Sequence, residues 1–181
     1  GLLAQEGWNV IQFLINDYGN QPELIHAAGL CHQKEACSFL LKLLREQEKP
    51  EITVVRSLAC WGAILSTTEL KNILSENSFH MRLAGLNLLK FKVHLLNVKE
   101  LLDLIVDLLD DFREEVVIQS IKILQRRDEK QIIDCISKIA RNGTNKTVET
   151  ALMALGAIGT KQSIDSLSQL SRQLVSKTHR K

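Results

Sequence analysis

His26, Cys31, His32 and Cys37 bring four metal-ligating side chains into one short stretch, which raises the question of zinc. Structural zinc sites use ligand pairs at tight, regular spacing, such as C-x-x-C with a matching histidine pair. The spacings here form neither kind of pair, and Cys31 and Cys37 fall at apolar positions of helical patterns, so both are expected to be core thiols. His80 and His94 stand without a carboxylate or cysteine at a telling distance. The acidic run "DLLDDFREE", with Asp107, Asp110, Asp111, Glu114 and Glu115, lacks the D-x-D-x-D-G order and terminal glutamate of a calcium loop. It is expected to be a solvated turn. There is no nucleophile elbow, no glycine-rich phosphate loop and no H-E-x-x-H, so no catalytic, cofactor-binding or metal-ligating residue is predicted. "NGT" at Asn142 and "NKT" at Asn145 match the glycosylation acceptor rule and are read as chance matches in a turn.

A different constellation is periodic. Asp103, Asp134 and Asp165 are each 31 residues apart, and each follows a lysine by four residues: Lys99, Lys130 and Lys161. Asn72, Ser38 and Gln12 continue the aspartate column upstream, while Asp107, Lys138 and Gln169 lie one helical turn further on. If these segments stack in register, the groups align as a stripe along one face. Such a ridge can read the charged surface of a partner. The plainer alternative is a solvated face whose Lys–Asp pairs contribute roughly 0.2–0.5 kcal/mol each. The candidate partner-binding stripe is Asn72, Lys99, Asp103, Asp107, Lys130, Asp134, Lys138, Lys161 and Asp165.

The elements that carry this stripe repeat. "TELKNIL" from Thr68, "KELLDLI" from Lys99, "KQIIDCI" from Lys130 and "KQSIDSL" from Lys161 recur every 31 residues. "KEACSFL" from Lys34 fits with three extra residues around "EQEKPE", and "WNVIQFL" from Trp8 fits more loosely. In four of the five full copies another helical pattern comes ahead, opened by Val55, Met81, Val117 or Val148, with "ELIHAAGLC" as the earliest. In these first helices Leu24, Leu58, Ala84, Ser120 and Ala151 share one place. Ala28, Gly62, Leu88, Leu124 and Leu155 share the next. Apolar residues spaced by three and four mark amphipathic helices, two per unit. Gly29, Ala63, Leu89, Gln125 and Gly156 form a column where a small residue lets helices approach closely. Gly159 falls at a turn that suits a left-handed C-cap.

"VETALMALGAIGTKQSIDSLSQL" resembles the HEAT-like repeat of the phycobilisome-lyase type, with its central alanine and "ALGAIG" before the turn. "VRSLACWGAIL" keeps the Val-Arg start of that family. "VIQSIKILQRR" loses the glycines and puts Arg127 at a usually apolar place. The resemblance implies an all-α fold: an α-solenoid of about five to six stacked two-helix HEAT-like repeats in a right-handed superhelix, with the second helices lining a concave side. The units fall at 21–48, 50–77, 79–110, 111–142 and 145–175 of a single domain spanning 1–181. Residues 1–20 form a half-repeat or cap built on Trp8, Val10, Ile11, Phe13 and Leu14, and 176–181 a basic tail.

Composition agrees with this and narrows the function. The chain has 181 residues, 45% hydrophobic but only 4% aromatic, with two prolines, so aliphatic side chains carry the burial. A formal net charge of +2 gives no general field for holding nucleic acid or an anionic membrane. Cys31, Cys37, Cys60 and Cys135 sit in apolar runs and read as buried thiols of a reducing compartment, which places the chain in the cytoplasm. No segment has the length and apolarity of a membrane span. The chain opens on Gly without a signal-peptide pattern, which leaves room for a membrane anchor upstream. The expected role is a non-enzymatic scaffold or adaptor that binds a protein through its concave face. The resemblance also implies a bilin lyase subunit, with Trp61, His26 and the cysteines near a tetrapyrrole. HEAT-like DNA glycosylases form a third class, against which the near-neutral charge and the acidic column argue.

Overall fold

The structure, a computed structural model, describes residues 2–178, with side chains described over 6–172. Among the described residues every regular element is a helix: α1 (Leu2–Tyr18), α2 (Pro22–Leu30), α3 (Lys34–Glu46), α4 (Ile52–Trp61), α5 (Thr67–Leu74), α6 (Phe79–Lys92), α7 (Val98–Leu109), α8 (Glu114–Leu124), α9 (Lys130–Asn142), α10 (Asn145–Ile158) and α11 (Lys161–Thr178). The fold class is all-α, of the helical-repeat kind. The first helices start two or three residues before Val55, Met81, Val117 and Val148. These residues lie within the first turn of their helices rather than at the first helical position. Two compact units divide the chain, one running to Phe91 and the other beginning at Lys92. The side chains of the basic tail 176–181 lie outside the described residues.

In the first unit α2 packs on α1, α3 and α4, and α3 packs on α4. Ile25, Ala28, Leu40, Val54, Val55 and Leu58 are buried between them. Gly29 sits where α2 meets the backbone of α4. A Cβ there would lie 2.5 Å from the Ser57 carbonyl oxygen and 2.7 Å from its Cα. Gly62 is not an interior helix position, as its column implied, but the left-handed C-cap of α4, with φ +86°. The end of α1 only partly matches the expected cap. Trp8 and Ile15 are buried, and Trp8 packs on Phe39 with ring centroids 5.7 Å apart, whereas Val10 and Phe13 face outward. The Trp61 indole N–H donates to the Gln33 carbonyl at 3.0 Å, tying α4 to the turn between α2 and α3.

In the second unit α7, α9 and α11 form one layer through α7–α9 and α9–α11 contacts, and α8 and α10 form the other. The amphipathic pattern explains the layering. On α9, Ile132, Ile133, Ile136 and Ala140 recur at spacings of three and four and are all buried. Asn97 and Glu100 start α7 with a capping box: the Glu100 N–H donates to the Asn97 side chain at 2.9 Å, and the Asn97 N–H to the Glu100 carboxylate at 3.0 Å. Two donors at the helix start that lack intrahelical partners are thus satisfied. Gly159 adopts the predicted left-handed cap with φ +68°. Gly156 does not let helices approach, since it is exposed and a Cβ there would meet nothing within 4 Å.

Arg127, which broke the repeat pattern, follows α8 with its side chain mostly buried. One guanidinium nitrogen, Nη1, donates to the carbonyls of Val93 at 2.7 Å and Leu96 at 2.8 Å. Its Nε donates to both oxygens of Glu129 at 2.9 and 3.1 Å, and Nη2 also pairs with that carboxylate. A planar guanidinium satisfies three acceptors at once here, which no aliphatic residue can do.

Candidate functional site

Eight of the nine stripe residues belong to the layer of second helices in the second unit. Lys99, Asp103 and Asp107 are on α7, Lys130, Asp134 and Lys138 on α9, and Lys161 and Asp165 on α11, all exposed. Asn72 is also exposed, on α5 of the first unit. The same periodicity that buries Leu101, Leu104, Ile105 and Leu108 turns Lys99, Asp103 and Asp107 outward on α7. None of the three Lys–Asp pairs at i,i+4 closes to an ion pair. Lysine preceding aspartate is the weaker order for such a pair on a helix, because it opposes the helix dipole.

A cleft of about 300 Å³ opens where the C-terminal ends of α7 and α9 meet the starts of α8 and α10. Val106, Leu109, Phe112, Val117 and Ile139 supply its apolar lining. Phe112 is 80% exposed and Val106 48% exposed. Cys135 lines it as well; burial and the neighbouring Asp134 raise its thiol pKa, against the opposing effect of Lys138. Asp110, Asp111, Glu114 and Lys138 also line it. The Glu114 carboxylate accepts from the Thr144 hydroxyl and lies 3.7 Å from Lys146 Nζ. The Arg113 guanidinium stands 5.0 Å from the Phe112 ring centroid, over one face of the ring.

In the sequence this segment reads only as an acidic turn. It is a turn, since α7 ends at Leu109 and α8 begins at Glu114, but it also presents an aromatic ring. The available signal was Val106, which falls off the buried stripe of α7, and a phenylalanine placed inside an acidic run. The first unit has a cleft of about 400 Å³ between the C-terminal end of α3, its following loop and α5. There Arg45 Nε reaches Glu69 Oε1 at 2.9 Å.

The other candidate groups separate. No cluster of three or more metal-ligating His, Cys, Asp or Glu side chains forms among the described residues. The four thiols are free, and their burial differs from expectation. Cys37 is buried and Cys31 and Cys135 are half-buried, but Cys60 is exposed because it lies on the outer side of α4, away from Val54, Val55 and Leu58.

Residues 101–176 match the family of HEAT repeats. That segment, which holds most of α7 through most of α11, therefore carries HEAT-like repeats. No curated protein matches the sequence. No helix among the described residues is long and apolar enough to cross a membrane.

Proposed function

We propose that the chain is a non-enzymatic scaffold or adaptor that binds a protein partner, using the face made by α7, α9 and α11 as its concave, working side. The supporting observation is the state of the stripe. Three neighbouring helices each present a lysine and an aspartate at matched places, exposed and unpaired with each other. Charges left unpaired on a rigid layer remain available to a partner of complementary pattern, and such charges act chiefly on specificity and association rate. HEAT-like repeats supply the rigid layer, since each helix pair buries its apolar stripe against its neighbours.

The test reverses Asp103, Asp134 and Asp165 to lysine together and compares affinity capture with the unaltered chain at low and moderate salt. All three are exposed, so the folded content read by circular dichroism should stay constant. A stoichiometric partner that weakens with salt and disappears in the triple variant supports the reading. Equal recovery from both chains would remove the stripe from the interface.

A further inference from the structure

We infer that the cleft between the C-terminal ends of α7 and α9 docks a segment of a partner protein that carries one large apolar side chain flanked by lysine or arginine. Phe112, Val106 and Asp110 form its recognition edge. The inference deepens the protein-binding reading and uses residues outside the aspartate column.

Three properties of the cleft carry it. Its size, about 300 Å³, sits at the lower end of the roughly 300–1,000 Å³ range of ligand clefts, which suits a single anchoring side chain. Its apolar surface is open to water: Phe112 and Val106 stand at its rim, and large apolar groups held in solvent beside a pocket mark interaction sites. Aromatic and aliphatic anchors seated in such pockets supply most of the binding energy of an interface.

Charge selects the flanks of that anchor. The lining holds three carboxylates, from Asp110, Asp111 and Glu114, against the single ammonium of Lys138. Glu114 is engaged by Thr144 and Lys146, and Asp111 accepts from the Arg113 backbone N–H at 2.8 Å, so Asp110 is the lining carboxylate that faces a partner. The Asp110 carboxylate makes no hydrogen bond or ion pair, and Asp107 is exposed in the last turn of α7. Arg113 covers one face of Phe112, which shows that the ring accepts a guanidinium at this place and leaves its other side open. A basic flank therefore meets both the Asp110 carboxylate and the open face of the Phe112 ring.

The experiment selects random twelve-residue peptides displayed on phage against the full chain, then titrates the enriched peptides by following backbone amide shifts. The expected result is enrichment of a large apolar residue flanked by Lys or Arg, with shifts at Val106, Phe112 and Gly143. Phe112→Ser, at an exposed loop position, should weaken binding at least tenfold with an unchanged melting temperature. Asp110→Lys should weaken basic peptides by about threefold or more. Acidic or neutral consensus peptides, undiminished binding to Phe112→Ser, or no enrichment would overturn the inference. A concentration-dependent dimer abolished by Phe112→Ser would also overturn it, since the occupant would then be a second copy. The triple Asp103, Asp134 and Asp165 reversal serves as the separate control. If it loses its partner but keeps the peptides, the two surfaces stand independently; if it keeps both, the stripe falls and the cleft remains.

Discussion

Each unit holds a cleft beside the C-terminal end of a second helix, and the two are finished differently. In the first unit the connection after α3 carries the extra residues of "EQEKPE". Gln47 and Glu51 hydrogen-bond each other across it, with the Glu51 N–H donating to the Gln47 side chain at 3.2 Å. Arg45 and Glu69 then join α3 to the start of α5. In the second unit the connection after α7 is short, and it points Phe112 into solvent beside an apolar cleft. The second unit also has a well-placed arginine–glutamate pair, but Arg127 and Glu129 sit in the turn between α8 and α9. Both clefts carry an ionic contact, Arg45–Glu69 in the first and Lys146–Glu114 in the second, but the second also sets an exposed aromatic ring beside its apolar lining. A repeat conserves the packing faces of its helices, and its connections are free to decide what each cleft presents.

The largest expected effect tests the buried pair. Arg127 retains 13% of its side-chain exposure, against 61% for Arg45. Arg127→Ala strands the Val93 and Leu96 carbonyls and the Glu129 carboxylate, and should lower unfolding stability by about 3 kcal/mol in urea titration. Arg45→Ala, at a solvated pair, should cost about 0.5 kcal/mol. Equal losses would mean that the two contacts do the same work and that the contrast between the units fails.

Next in size is the glycine column. Gly29→Ala forces a Cβ into the Ser57 backbone and should cost about 2 kcal/mol, within the usual range for overpacking. Gly156→Ala, at an exposed helical site with open space around it, should raise stability by up to about 1 kcal/mol. Thermal melts of the two variants should therefore move in opposite directions.

The smallest effect is acid sensitivity. Burial pushes the Glu69 carboxyl upward, but hydrogen bonds from Ser66 and Arg45 and the Arg45 charge outweigh it, so its pKa is lowered. The Glu129 carboxyl is lowered mainly by its hydrogen bonds from Arg127, against the opposing effect of burial. A carboxyl with a lowered folded-state pKa contributes stability that is fully present above the ordinary glutamate value and is lost as the pH falls through the folded-state value. Unfolding stability should thus decline on acidification below the ordinary glutamate range. Arg127→Ala should flatten that decline in part, and the remainder should respond to Arg45→Ala.

Much of this molecule was legible before folding. The helix faces of α7 and α9 follow from local spacing: residues three and four apart share a face whatever they pack against. The outward placement of Lys99, Asp103, Lys130 and Asp134 follows from the same rule, as does the Gly159 cap, where a left-handed turn needs a residue without Cβ. What those charges would do was not legible, because solvated and binding faces have the same composition.

Tertiary structure decided the rest, because it determines which distant backbone comes close. Gly29 and Gly156 occupy one column of the repeat, yet only Gly29 lies against another helix. Arg127 looks like an error in an apolar pattern until the carbonyls of Val93 and Leu96, more than thirty residues upstream, arrive to accept its protons. Phe112 sits in a run that reads only as a solvated turn until packing sets it, 80% exposed, beside the cleft formed with α9. Periodicity is a property of neighbouring residues and survives in the sequence. Contact, satisfaction and exposure belong to segments far apart in the chain, and they exist only once the helices have packed.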